Sequence, residues 1–132
     1  MTFLIDGYNV LPADAELRRV IRRSRSDARA GLVERLDAWA TRDGVEVVCV
    51  FDGGPAGEVD TKGPIDVLFS GPDAIADDVI VAYADACGDL VTVFTSDRAL
   101  RRRVEALGAR VAGARALFER MGAGRMANND EN

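Results

Sequence analysis

A chain of 132 residues with 48% hydrophobic content and a net charge of −5 is sized for one domain around one core. It holds no histidine and only two distant cysteines, which excludes Ser-His-Asp and Cys-His hydrolysis, histidine acid–base steps and the usual zinc sites. No run approaches the roughly 18 to 20 apolar residues of a membrane span, and residues 1–6 enter a strand pattern without a basic leader, so a cytoplasmic protein with no membrane contact is expected.

The hydrophobic pattern alternates short strand-like runs with longer helical ones, which predicts an α/β fold with a mainly parallel central sheet of about five strands flanked by helices. Residues 2–5 read as the first strand. Leu17, Val20 and Ile21 suit a short helix, and Leu32, Val33, Leu36 and Trp39 recur at helical spacing from a Ser26 cap to a stop at Gly44. The Val-dense run 45–51 reads as a second, central strand. The stretch 52–64, rich in Gly and Pro, reads as loop, and 65–69 as a third strand. A helix apolar almost all round follows over 73–87, stopped by Gly88. Residues 90–95 give a fourth strand, Leu100, Val104 and Leu107 a helix ending at Gly108, 109–112 a fifth strand, and 114–121 a last helix. The single domain is expected to span 1–126, with 127–132 a polar tail that frays. Cys49 and Cys87 fall in apolar surroundings and read as buried free thiols.

In open parallel sheets ligands bind beyond the carboxyl ends of the strands, so acids at those ends are the ones to inspect. Asp6 follows the first strand, Asp52 the second, and Asp97 the fourth in Thr95-Ser96-Asp97, while Asp77 and Asp78 lie in the first turns of the buried helix. Five carboxylates thus head for one rim. Each alone also reads as a helix cap or a first-turn acid. Together, like charges repel and resist desolvation, and a divalent counter-ion is the simplest remedy. Carboxylate oxygens suit hard ions, so the cofactor predicted is Mg²⁺ or Mn²⁺, which serves phosphodiester hydrolysis by activating water and neutralising charge on the phosphate. Asn9 supplies an uncharged donor and acceptor beside the first acid, or else a plain turn, and Gly7 would allow a sharp turn there. Ser96 reads as a phosphate contact or an N-cap, and Tyr8 as a core ring or a surface for base stacking.

The negative net charge argues at first against a nucleic-acid partner, but the distribution matters more than the sum. Arg18, Arg19, Arg22, Arg23, Arg25 and Arg29 crowd one segment against a single acid, Asp27, and Arg98, Arg101, Arg102 and Arg103 form a second cluster. Solvated helix faces carry the same pattern. As RNA contacts, Arg18, Arg19, Arg22, Arg23, Arg98, Arg101 and Arg102 would hold the phosphate backbone.

Asp6-Gly7-Tyr8-Asn9 after the first strand, Val50-Phe51-Asp52-Gly53 after the second, Ala76-Asp77-Asp78 opening the buried helix and Thr95-Ser96-Asp97 after the fourth resemble the NYN domains of the PIN-like nuclease superfamily, most of all its YacP-like branch. The likeness covers residues 1–121. It implies a three-layer PIN-like fold, endoribonuclease activity dependent on Mg²⁺ or Mn²⁺, and metal ligands at Asp6, Asp77 and Asp97. It further implies that Asp52 is a ligand or a partner of one and that Asn9 is the polar neighbour of the first ligand; by their positions beside Asp77 and Asp97, Asp78 and Ser96 read as auxiliaries. RNA is the partner implied, together with the ribosome, since the branch includes a bacterial ribosome-associated endoribonuclease. The alternative is an RNA-binding module that has kept the fold and lost catalysis. Asp73-Ala74-Ile75, where related chains often carry a glutamate ahead of the Ala-Asp pair, is the segment that favours it.

Overall fold

The computed structural model describes the backbone of residues 1–59 and 63–130, and the side chains of 1–54 and 63–122. Its strands are β1 (Thr2–Asp6), β2 (Glu46–Phe51), β3 (Gly53–Val59), β4 (Asp66–Gly71), β5 (Val91–Phe94) and β6 (Arg110–Ala112). They form one sheet in the order β3, β4, β2, β1, β5, β6, parallel throughout except where β3 runs against β4. The helices are α1 (Gly7–Val10), α2 (Ala15–Arg23), α3 (Arg25–Asp43), α4 (Ala76–Cys87), α5 (Arg98–Glu105) and α6 (Ala114–Asp130).

The central strands are apolar on both faces because both faces are covered. On β1, Phe3 and Ile5 point into one core with Cys49, Phe51, Phe94, Leu32, Leu36 and Trp39, which places α3 and α6 on that side. Leu4 points into a second core with Val48, Val50, Val93, Ile80, Leu100 and Val104, which places α4 and α5 on the other. Three layers result, helices against sheet against helices. At 25 cal/mol per Å², each fully buried Leu or Ile in these cores is worth roughly 2 kcal/mol before entropy is counted.

The sequence reading differs from this structure in five places. The stretch 52–64, read as loop, contains β3, and the sheet has six strands rather than about five. Gly53, Gly54, Pro55 and Gly57 depress strand propensity, but an antiparallel edge strand tolerates them, and the register shifts between Gly53 and Gly57. Residues 60–62 of that stretch lie outside the described residues. Ser24, not Ser26, caps α3, its hydroxyl accepting from the Asp27 N–H at 3.1 Å. The buried helix starts at Ala76 instead of residue 73, because Ile75 is extended. Cys49 is buried as expected, but the Cys87 thiol is only half-buried. Finally, α6 passes Met121 and continues to Asp130, since a glycine such as Gly122 costs a helix only about 1 kcal/mol. The tail expected to fray from residue 127 is therefore helical in backbone to Asp130, and 131–132 lie outside the described residues. Among the described residues no helix is long and apolar enough to cross a membrane.

Candidate active site

The strand order puts β2, β1 and β5 side by side and parallel, so residues leaving their carboxyl ends arrive at one rim. Asp6 ends β1, Asp52 follows β2, and Thr95, Ser96 and Asp97 follow β5. From the layer above, the first turn of α4 delivers Asp77. Asp6 forms the floor, with 6% exposure, while Asp77 and Asp97 are half-buried and Asp52 and Asn9 are exposed.

Burial pushes the Asp6 carboxyl up to about 6; the Thr95 hydroxyl pulls it back, and the charges of Asp77, Asp52 and Asp97 raise it further. Asp77 is raised too, by burial first and then by Asp97 and Asp52, with Arg103 opposing and Asp78 adding to the rise. The charges of Asp77, Asp52 and Asp97 therefore reach Asp6 across this rim, and those of Asp97 and Asp52 reach Asp77. Asp78 reaches away from them to Arg103 at 3.7 Å, an exposed pair worth little to stability.

Three of the four acids are oriented through one oxygen. Asp6 Oδ2 accepts from the Thr95 hydroxyl at 2.8 Å. Asp97 Oδ1 accepts from the N–H groups of Ala99 and Leu100 at 2.9 and 3.2 Å, so Asp97 caps α5. Asp52 Oδ1 accepts from the Ala76 N–H, capping α4 from a neighbouring loop because Ile75 has no oxygen to offer. Among the described residues, Asp6 Oδ1, Asp97 Oδ2 and Asp52 Oδ2 accept no hydrogen bond. As they stand, no three acids among the described residues are drawn together tightly enough to form a ready ligand shell.

Thr95 and Asn9 tie the rim together. The fully buried Thr95 accepts from the Asp97 N–H at 3.1 Å and has one proton to donate. The 2.8 Å contact to Asp6 takes it in preference to the 3.2 Å contact to Asn9 Oδ1, since the acceptor is ionisable and nearer. Asn9 Oδ1 accepts from the Ser96 N–H at 2.7 Å, locking the loop after β5 onto the turn after β1. Asn9 is thus more than a plain turn residue. Ser96 does not cap α5; its hydroxyl accepts from the Ala114 N–H at 3.1 Å at the start of α6. Gly7 is not a sharp turn either. The chain enters α1 directly, and a Cβ at this position would fall within the Phe51 ring.

The sequence reading passed over Thr95 and the partners of Tyr8. Tyr8 is half-buried, its ring 4.9 Å from that of Phe51, its hydroxyl accepting from Arg29 at 3.0 Å, and Arg25 lying 4.4 Å over its face. The Thr-Ser-Asp motif carried a signal for Thr95, a hydroxyl two residues before a rim acid. Nothing local signals that Arg25 and Arg29 reach Tyr8 across the fold. Arg19, Arg22, Arg23, Arg98 and Arg102 are exposed and Arg101 half-exposed, and among the described residues none pairs with an acid. Arg18 donates to the Pro12 carbonyl at 3.1 Å. A cavity of about 410 Å³ lies between α3 and α6, around Trp39 and Phe118, and shares no lining residue with the rim.

A family model described as the YacP-like NYN domain matches residues 3–131. The chain belongs to the YacP-like NYN domain family. It is thereby a member of the PIN-like nuclease superfamily. The Bacillus subtilis (strain 168) protein described as Uncharacterized protein YacP is 28% identical over an alignment of 121 residues that covers 87% of this chain and 71% of that one. The crystal structure of a mutant of Rae1 (YacP) from Bacillus subtilis superposes with a TM-score of 0.80 at 25% identity, over 93% of this chain and 75% of that one. A second crystal structure of Rae1 (YacP) gives a TM-score of 0.82 at 24% identity, over 99% and 79%. The fold of this NYN domain is accordingly the PIN-like one.

Proposed function

We propose that this NYN domain is a divalent-metal-dependent endoribonuclease that hydrolyses RNA phosphodiester bonds. The observation that carries the reading is Asp6, a buried carboxyl pushed up to about 6 amid Asp77, Asp52 and Asp97, with no cation bonded to it among the described residues. A site that gathers like charges around a buried acid invites a cation. The donor set fits Mg²⁺ or Mn²⁺, since it is all oxygen and contains neither histidine nor thiolate. Asp6, Asp77 and Asp97 would hold the ion, and Lewis-acid activation of water with charge neutralisation at the phosphate is the chemistry it would supply. Thr95 orients Asp6, Asn9 fixes the loop that carries Asp97, and Asp52 fixes the start of the helix that carries Asp77. Arg98 and its neighbours on α5, with the arginines of α2, would attract the RNA backbone. The ribosome is the partner suggested by resemblance within the family.

Cleavage of single-stranded RNA in Mg²⁺ or Mn²⁺, abolished by EDTA, tests the proposal. Asp6→Asn and Asp77→Asn should each cut at least about a hundredfold more slowly. Undiminished cutting by either variant rejects the assignment. One observation favours the alternative, an RNA-binding module without catalysis: the acids do not form a ready ligand shell. That alternative predicts salt-sensitive RNA binding in EDTA and no turnover in Mn²⁺.

A further inference from the structure

We infer that Arg25 grips the RNA backbone on one flank of the acidic rim, at a phosphate neighbouring the one that is cut, and that Tyr8 is the platform presenting it. The inference rests on the nuclease reading above and deepens it by naming a substrate contact. Tyr8 follows Asp6 by two residues and is held from several sides. Its ring packs 4.9 Å from Phe51, at the end of β2, and its hydroxyl accepts from Arg29 at 3.0 Å. Arg29 itself lies 5.2 Å over the ring of Phe69 on β4. Its charge is turned inward onto these rings.

Arg25 differs in facing solvent. It is exposed, it lies 4.4 Å over the Tyr8 ring, and among the described residues it pairs with no acid. A guanidinium held over an aromatic face by cation–π attraction spends none of its N–H donors on the ring, and its fork matches two phosphate oxygens. The ring face that a base would use is already covered, so phosphate rather than base is the group recognised. The position of Arg25 also works against its own helix. It is the first residue of α3, where the helix dipole disfavours a cation. Arg98 breaks the same preference as the first residue of α5, directly after Asp97. The two arginines enter from opposite layers, α3 on the Phe51 side of the sheet and α5 on the Val93 side, with the acids of the sheet edge between them. A backbone crossing the edge from one layer to the other would meet a cation on each flank.

The test uses the full chain and a short fluorescein-labelled single-stranded RNA, with anisotropy read in EDTA over a salt series and cleavage kinetics read in Mn²⁺. Arg25→Ala should bind roughly tenfold more weakly, with the salt slope reduced by about 0.7, one phosphate contact on a single strand. In cleavage it should raise KM and leave kcat within about twofold. Arg25→Lys should recover the slope and only part of the affinity, because lysine lacks the planar fork. Arg110→Ala, an exposed charge at the opposite end of the sheet, controls for net charge. Unchanged affinity and slope in Arg25→Ala overturn the inference, as does tighter binding, which would mean that the bared ring stacks on bases. A wild-type chain that binds RNA and never cuts it defeats the endoribonuclease reading and with it the place beside a cut phosphate, while the affinity and salt slope of Arg25→Ala still decide whether Arg25 grips the backbone. A wild-type chain that does not bind RNA defeats both.

Discussion

The Thr95 hydroxyl donates to Oδ2 of Asp6 at 2.8 Å, joining residues 89 apart in sequence at the ends of two adjacent parallel strands. It lowers the carboxyl which burial raises. Removing it while keeping the side-chain shape isolates its role. Thr95→Val should move the Asp6 pKa further up, cost on the order of 1 to 3 kcal/mol of stability and lower cleavage roughly 10- to 100-fold. Thr95→Ser should restore all three. NMR titration of the Asp6 carboxyl, urea unfolding and the cleavage assay read them separately, and an Asp6 pKa unmoved by Thr95→Val would show the hydrogen bond to be incidental.

The stability of the metal-free protein should fall as pH rises from about 4 to about 6 through the Asp6 contribution. Its folded pKa, about 6, lies above the unfolded value near 3.9, so the folded state holds the proton more tightly. The stabilisation is complete below the unfolded pKa and is lost as pH passes through the folded one, amounting to roughly 2 to 3 kcal/mol. Asp77, also raised, acts in the same direction. Asp14 and Asp43 are lowered, Asp14 by the Leu17 N–H and Arg35 and Asp43 chiefly by Arg42, and act oppositely as pH falls below about 4. The difference between wild type and Asp6→Asn in urea midpoints, in EDTA, therefore isolates Asp6. A difference that stays flat between pH 4 and pH 6 contradicts the burial argument. Mn²⁺ should recover the lost stability above pH 6 in the wild type alone.

Asp52 separates two roles that the family likeness left joined. Its Oδ1 caps α4 at Ala76, a function that asparagine can also perform. Asp52→Asn should keep stability within about 0.5 kcal/mol and lower the Asp6 pKa by removing a like charge, whereas Asp52→Ala should cost about 1 kcal/mol. Retained cleavage in Asp52→Asn identifies a supporting residue, and loss of more than about a hundredfold identifies a ligand.

Gly7→Ala should destabilise by roughly 1 to 3 kcal/mol, since its Cβ and the Phe51 ring claim the same space. Thermal unfolding checks this. A second substitution, Phe51→Leu, should return part of the loss by vacating the ring position, and failure of that rescue would place the strain elsewhere.

The acids were legible in the sequence because their positions follow from a local rule. Asp6 and Asp52 sit immediately beyond a hydrophobic run and Asp97 two polar residues further on from one, and parallel strands present such residues together. What they hold onto was not legible. That Asp52 caps α4 depends on a contact 24 residues away, and that Asn9 holds Ser96 on one 87 residues away. β3 escaped notice for a different reason. Its glycines and proline weaken the local signal, and its strand character comes from the pairing with β4. Ser26 and Ser24 both precede the α3 pattern, and only the hydroxyl's reach to the Asp27 N–H distinguishes them.

The place of β1 between β2 and β5 ties the rim to the order of synthesis. Asp6 leaves the translating ribosome 89 residues ahead of its hydrogen-bond partner Thr95, and its neighbour Asp97 follows two residues after Thr95. A nascent fragment that stops short of β5 holds Asp6, Asp52 and Asp77 but not the loop after β5 that completes the cluster. Long-range pairing of this kind forms late and as a unit. The acidic centre is thus a property of the completed fold, absent from any copy in which β5 has not yet joined β1.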